Sequence, residues 1–592
     1  MRTWIAYQGA SHSWGKRLSI ALGALLLLGA AWIVVTGLVA TRAARSAQQD
    51  LQTIDFYVTA GQLDRIPAVS ADLARQASRA HHLTTGPAWW AAAALPYAGD
   101  PLRVVRGSTE AANILADHAV PDVVQLANEL RPSRLRPAGN TINLAAMISA
   151  APQLNRVADS LASATRVLAG LPSKTWLGSI DRVRSQLAGR LSVIGGYVTA
   201  AQRTAKILPE MAGDTQPRRY FVGLQNEAEL RGTGGVPGSF AIMVAYHGTV
   251  KFTKFASDAV LLPPPTQLIP TGLEFGSQYD AAWARSQPTS QYVDSNVSPN
   301  FPYAAQIWAA MWQRISGEHV DGAIALDPTA LSYFLSVTGQ TRTANGTIVS
   351  SDNVVSLTQR DAYTAYPDNQ QRKDFLVSLT KAVDEKFISG AGSAQALVQA
   401  GARSGTEHRF QIWFADPAVE RVLQQSSFAG SLPQSPQPFS AVILNNAAAG
   451  KLDYYLARSI SYQRTGCGST RDVLVTIALT NNAPSGLPSY VAGRIDSHAA
   501  TAKSGDNRLL VDYLGSVGAQ LLSVTLNGIP TTMGTFTETG HPMFRFDLEL
   551  PRGTTQTLVV HLIEPAGTQP PSIWLQPGVT PAQLTFFDQR CP

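Results

Sequence analysis

Hydrophobic and polar positions follow three rhythms along this chain, and the changes of rhythm divide it. From 43 to about 213 apolar residues recur every three to four positions. Leu154, Val157, Leu161, Ala164 and Leu168 form one stripe; Ile180, Val183, Leu187, Leu191, Ile194 and Val198 form another, with Arg182, Arg184 and Arg190 off it. Such spacing predicts amphipathic helices, and prolines from Pro87 to Pro172 cut them apart, so a helical bundle is expected over 43–213. From about 216 strands alternate with helices. Tyr220–Leu224, Phe240–Tyr246 and Lys251–Ser257 read as strands, Pro302–Ile315 as a helix, and Val320–Asp327 as a strand whose last residue caps the helix opening at Pro328. Asn353–Ala365 and Gln371–Phe387 read as further helices. A layered α/β (α+β) domain is expected over 216–430. After the linker PQSPQP the rhythm becomes two: Val473, Val475, Ile477 and Leu479; Phe544, Phe546, Leu548 and Leu550; Leu558, Val560 and Leu562. Separated by turn residues such as Asn527-Gly528, these predict an all-β sandwich over 438–592.

One more run stands outside these rhythms. LSIALGALLLLGAAWIVVTGLVAT, residues 18–41, carries no charge and is long enough for a transmembrane helix. The expectation is a cytoplasmic tail at 1–17, a single membrane anchor at 18–41, and the rest of the chain extracytoplasmic; a cleaved signal peptide is the alternative. The fold class expected is therefore multidomain: N-terminal transmembrane helix, all-α bundle, central α/β domain and C-terminal all-β sandwich. The adjacent Trp89 and Trp90 fit either a membrane interface or the bundle core.

Composition narrows the function classes. A hydrophobic content of 45% and 15% charged residues describe a chain that folds. The net charge of +6 is scattered, with no Lys/Arg cluster among aromatics, which excludes nucleic acid as a partner. The two cysteines, Cys467 and Cys591, lack metal or redox spacing and are expected to form a disulfide outside the cytoplasm.

Chemistry concentrates in YFVGLQNEAELRGTGGVPGS, residues 220–239. A strand is expected to break into a polar loop with Asn226, Glu227, Glu229 and Arg231, followed by Thr233 and by glycines that can present backbone N–H groups. The loop lacks GxxxxGK[ST], so it is no nucleotide P-loop, and the chain has no GxSxG or HExxH motif. The ligand-binding candidates are Asn226, Glu229, Arg231, Thr233, Gly234, Gly235, Asp258 and Arg372. Arginines of this kind suit phosphate or carboxylate, and acids such as Asp258 suit a divalent ion. Surface ion pairs and helix caps are the plainer alternative for Glu229–Arg231 and Arg372–Asp374.

LQNEAELRGTGGVPGSF, SNVSPNFPYAAQIWAAMWQ and VDGAIALDPTALSYFLSVTG closely resemble the DUF4012 family of bacterial envelope proteins, over about 85–390 with the lead-in PAWWAAAALPYAGDPLRVVRGSTEAAN. The order of elements is also distantly similar to the LytR-CpsA-Psr phosphotransferases, which move glycopolymers from polyprenyl-pyrophosphate lipids onto peptidoglycan. On that resemblance Arg231 takes the place of the first arginine, Asp258 that of the acid after the third strand, and Arg372 that of the late arginine. Thr233 stands where an acid and Ser257 where an arginine would be. The resemblance implies an envelope protein whose α/β domain binds, and as an enzyme would transfer with Mg, an anionic glycolipid or polyprenyl-phosphate-linked glycopolymer. The sandwich would meet other envelope proteins. The alternative is a non-catalytic scaffold or assembly protein.

Overall fold

The computed structural model describes residues 29–40, scattered positions between 42 and 62, then 65–129, 134, 141–496, 498–567 and 569–591. The chain divides into two compact units, 1–135 with 143–206 and 136–142 with 207–592.

The described part of the first unit is helical: α1 (Ile66–Thr84), α2 (Pro87–Ala93), α3 (Asp100–Ile114), α4 (Val120–Glu129) and α5 (Leu144–Ala169), with most of α6 (Gly178–Met211). The stripe Leu154, Val157, Leu161, Ala164 and Leu168 lies buried against Ala111, Leu126 and Leu191. The two tryptophans part company: Trp89 is buried and donates from Nε1 to Thr36 Oγ1 at 2.8 Å, while Trp90 is 64% exposed. The expected transmembrane helix, and with it the single-pass localisation and the first term of the fold class, is corrected. No helix among the described residues is long and apolar enough to cross a membrane. Within the run at 18–41, residues 29–40 are helical, and 18–28, like the tail at 1–17, lie outside the described residues. What the chain has is helices together with several sheets.

The second unit opens on a five-stranded sheet, β1 (Arg218–Arg231), β2 (Gly234–Tyr246), β3 (Thr249–Ser257), β4 (Gly322–Leu326) and β7 (Phe410–Phe414), in the order β3-β2-β1-β4-β7. A two-stranded ribbon, β5 (Thr341–Arg342) with β6 (Ile348–Val349), lies between the last two in sequence. β1 is antiparallel to β2 and parallel to β4. The period of two sets its faces. Phe221 packs with Trp308 and Trp312 of α8 (Phe301–Ser316), where Gly223 leaves room for the Trp308 ring: a Cβ there would stand 2.6 Å from it. α7 (Ser277–Trp283) precedes α8. The other face carries Tyr220, Val222 and Ile324, with α9 (Pro328–Thr338) and α10 (Asn369–Ile388) over part of it. Asp327 caps α9 by accepting from Ala330 N at 2.6 Å, and Asp368 caps α10 from Gln371 N at 2.9 Å.

The polar stretch 225–231 is not a loop. It continues β1, and only Gly232 and Thr233 turn the chain into β2. Glu227, Ala228 and Glu229 bulge between the pairs Asn226↔Val236 and Leu230↔Gly235. The extension has a destination. Leu230 is buried in the core of the C-terminal sheets, among Leu444, Leu456 and Leu509.

Those sheets run β14-β15-β11-β8-β17 and β13-β12-β16-β10-β9-β18. Their strands are β8 (Phe439–Asn446), β9 (Leu456–Thr465), β10 (Thr470–Asn481), β11 (Asn507–Leu514), β12 (Gln520–Leu526), β13 (Ile529–Thr531), β14 (Gly534–Glu538), β15 (His541–Leu550), β16 (Thr555–Pro565), β17 (Ser572–Leu575) and β18 (Gln583–Asp588). One core takes Val473, Val475 and Ile477 from one sheet and Leu509, Val511 and Leu548 from the other. Cys467, in the turn after β9, is bonded to Cys591 beyond β18 with a Cα separation of 5.5 Å.

The bond closes a loop with a sequence separation of 124. In the chain-entropy model, closing a loop that long contributes about 4–5 kcal/mol. Cys591→Ser is expected to lower denaturant stability by an amount of that order, and thiol titration before reduction is expected to find neither cysteine. Unchanged stability or two reactive thiols would contradict the account.

Candidate functional site

The end of β1 is a buried charge cluster built from distant pieces of chain. Arg231, 5% exposed, donates to Glu229 at 2.9 Å and lies 3.0 Å from Asp294. It also donates to the carbonyls of Val293 at 3.2 Å, Leu230 at 3.0 Å and Asn446 at 3.3 Å. Glu229 takes a second cation, Lys451. Burial pushes the Glu229 carboxyl up, but Lys451 and Arg231 outweigh it and hold it below the ordinary range. Burial likewise works against the charge on Lys451, and Glu229 outweighs that and raises it. Glu229 and Lys451 thus hold each other in their charged forms.

A second set sits beside it. Arg409 reaches Glu227 at 3.2 Å and Asp327 at 2.8 Å, and donates to Gly578 O at 3.0 Å. Gln359 donates to Glu227. Burial, then Asp327, raises the Glu227 carboxyl. Asp453 accepts from Leu230 N at 2.8 Å, Asn446 at 2.8 Å and Asn507 at 2.7 Å, while burial lifts it to about 6. Sheet and sandwich are thus joined through charged groups taken out of water in matched sets.

The glycines serve this packing and offer no anion nest. Gly235 N donates to Gln225 Oε1 at 3.0 Å, and Thr233 Oγ1 donates to the same oxygen at 3.1 Å and accepts from Asn296 at 2.9 Å. Gly235 is glycine because a Cβ would stand 2.2 Å from the Asn226 backbone. Gly234 has φ +147°, and a Cβ there would meet Gln225 at 2.6 Å. The Gly235 N–H is thus turned inward to Gln225 and not presented to a ligand.

Of the remaining candidates, Asn226 and Arg372 meet at Tyr363. Asn226 donates to the Tyr363 hydroxyl and accepts from Ala228 N. Arg372, 2% exposed, donates to the carbonyls of Tyr366 and Pro367 and to Asn369 Oδ1, and its guanidinium lies 5.4 Å from the Tyr363 ring and 4.0 Å from that of Tyr490. Asp258 pairs with Lys373 at 2.8 Å. Among the described residues no hydrogen bond or ion pair joins Arg231, Asp258 and Arg372 to one another. Arg231 borders a cavity of about 210 Å³ whose wall includes Asp294, and Asn226 borders another; Asp258 and Arg372 line neither. The partners that decide these roles were missed: Lys451, Asp453 and Arg409 are single polar residues in unremarkable stretches, and Asn296 lies in the motif at 295–313 but carries no charge.

One cavity is of a different kind. It holds about 220 Å³ between the sheet and the helices α9 and α10. Val222 and Leu224 of β1, Met243 of β2, Phe252 of β3, Ile324 of β4 and Phe410 of β7 form its floor; Leu331 and Phe334 of α9 and Val383 and Phe387 of α10 close over it. A smaller recess of about 50 Å³, edged by Asn226, Ser239 and Thr358, shares Leu224, Leu331 and Thr380 with it.

A family model described as "Protein of unknown function (DUF4012)" matches residues 215–363, a shorter stretch than the resemblance over 85–390. No curated protein and no solved structure matches the chain.

If the glycines serve packing, they separate by position. Gly235→Ala is expected to lower stability by about 2 kcal/mol or more, since backbone must move, whereas Gly238→Ala, with nothing within 4 Å of its Cβ, should stay within about 0.5 kcal/mol of the parent. Equal effects in thermal unfolding would contradict the assignment.

Proposed function

We propose that this protein binds the hydrocarbon chain of a lipid in the cavity between the five-stranded sheet and α9 and α10. The observation that carries the proposal is the wall of that cavity, apolar on every strand and on α9. Apolar cavities of about 150 Å³ stay dry and take hydrocarbon guests, and binding sites are concave, mostly apolar and few per protein. The smaller recess beside it, edged by Asn226, Ser239 and Thr358 among leucines, is where a head group would face out.

The proposal keeps the lipid tail of the glycolipid expectation and drops the catalytic phosphate site. In the distant resemblance to LytR-CpsA-Psr phosphotransferases, arginines hold the pyrophosphate. Here Arg231 is bonded to Glu229, Asp294 and three carbonyls, and Arg372 is buried at the start of α10. A non-catalytic scaffold is the rival; the closed charge cluster at the end of β1 favours it, and occupancy of the cavity separates the two.

A hydrophobic fluorescent probe such as N-phenyl-1-naphthylamine is expected to bind the purified chain at one site. Met243→Trp, which fills the floor of the cavity, should weaken binding by about tenfold or more, without lowering the melting temperature, since filling a void does not cost packing. Absence of binding, or equal binding by the variant, would leave the scaffold.

A further inference from the structure

The cavity between the sheet and α10 is not wholly apolar. Two polar side chains, Thr380 and Asp384, face it from successive turns of α10. Thr380 is satisfied, donating from Oγ1 to Leu376 O at 2.9 Å. Asp384 is not. Its residue is 9% exposed, its carboxyl oxygens keep a little contact with solvent, and among the described residues it has no hydrogen-bond donor or cation. The lining side chains of β1, β2, β3, β4, β7 and α9 are uncharged. On its own helix the neighbouring charge is Glu385, of the same sign, which pairs at 3.9 Å with Lys381 on the exposed side.

Buried acids elsewhere in the fold are provided for. Glu229 has Lys451 and Arg231; Asp512 has Arg545 at 2.6 Å; Glu538 accepts from Trp283 at 2.6 Å and Ser298 at 2.9 Å. A carboxyl left unpaired in an apolar wall is costly, and proteins retain few of them without a partner. The missing partner can come from the occupant.

Resting on the lipid-chain reading above, we propose that the cavity takes an amphiphile whose apolar chain carries a protonated amine, and that Asp384 is its counter-ion. An anionic head at this point would meet a carboxyl with no cation beside it. A hydroxyl would satisfy a hydrogen bond without using the charge. An ammonium group uses both, and a charge-assisted bond in apolar surroundings is the strongest of the three. Burial, then the Glu385 charge, raises the free carboxyl to about 8, so at pH 7 it starts mostly protonated. Pairing with an ammonium needs the carboxylate, so binding releases a proton; binding an alcohol does not.

The test is titration calorimetry of the full chain with dodecylamine, dodecanol and dodecanoate, below their aggregation limits, at pH 7 in two buffers of different ionisation enthalpy. The amine is expected to bind about tenfold or more tighter than either of the others and to release close to one proton, by the linkage of pKa to binding. In Asp384→Asn, which keeps the volume, and Asp384→Leu, the preference and the proton release should both disappear while dodecanol still binds. Equal affinities, or a preference that survives in both variants, would overturn the amine assignment and leave the lipid reading standing. No binding of any of the three chains would overturn both.

Discussion

Everything in the 207–592 unit depends on how the end of β1 is neutralised. Glu229 lies nearly out of water between Arg231 and Lys451, with Leu230 between the first two driven into the core of the sandwich. Removing such charges from water costs several kcal/mol each, and only close, well-bonded partners offset it. The partners come from both sides of the junction: Glu229 and Arg231 from β1, Asp294 from the segment before α8, Lys451 and Asn446 from the sandwich. Neither set of strands can keep its own polar groups satisfied without the other. That mutual need, together with apolar cores shared across the junction, makes the sheet and the sandwich one unit.

The same constraint shapes the face that holds the cavity. β1 alternates strictly up to Leu224, with Phe221 toward α8 and Val222 toward α9 and α10, and then bulges to reach the sandwich. Asp327 links the two ends of the system. It caps α9, which roofs the cavity, and it holds Arg409, which binds Glu227 on the bulge. A helix that covers an apolar space is thereby anchored to the rigid junction, while α10 crosses the same space with one carboxyl turned inward.

Local rhythm carried the sequence reading as far as individual elements. The stripe from Leu154 to Leu168 is buried along one helix, the alternation at 473–479 and 544–550 lies in β10 and β15, and Asp327 caps the helix at Pro328, because each of these depends on neighbours within a few residues. The Cys467–Cys591 pairing followed from there being two cysteines. What failed was decided at long range. Residues 225–231 look like a loop because they are polar; they are strand because Lys451 and Asp453 wait some 220 positions away. Glycines 234 and 235 look like an anion nest, yet the side-chain amide oxygen of Gln225 already takes the Gly235 N–H and crowds Gly234. The apolar run at 18–41 has the hydropathy of an anchor, yet no described helix has the length and apolarity to cross a membrane. The cavity was invisible for a different reason: each of its walls reads as ordinary core.

The claim that the end of β1 is a structural junction is tested most directly by a double-mutant cycle on Glu229 and Lys451. Glu229→Gln and Lys451→Met, alone and together, would be followed by urea unfolding. Glu229→Gln leaves Lys451 without its acid and should cost about 3–5 kcal/mol, while Lys451→Met leaves Glu229 with Arg231 alone and should cost less. The double variant should cost less than the two singles added together, by about 2 kcal/mol or more. Additive losses, or single variants that unfold like the parent, would show that the pair does not hold the unit together.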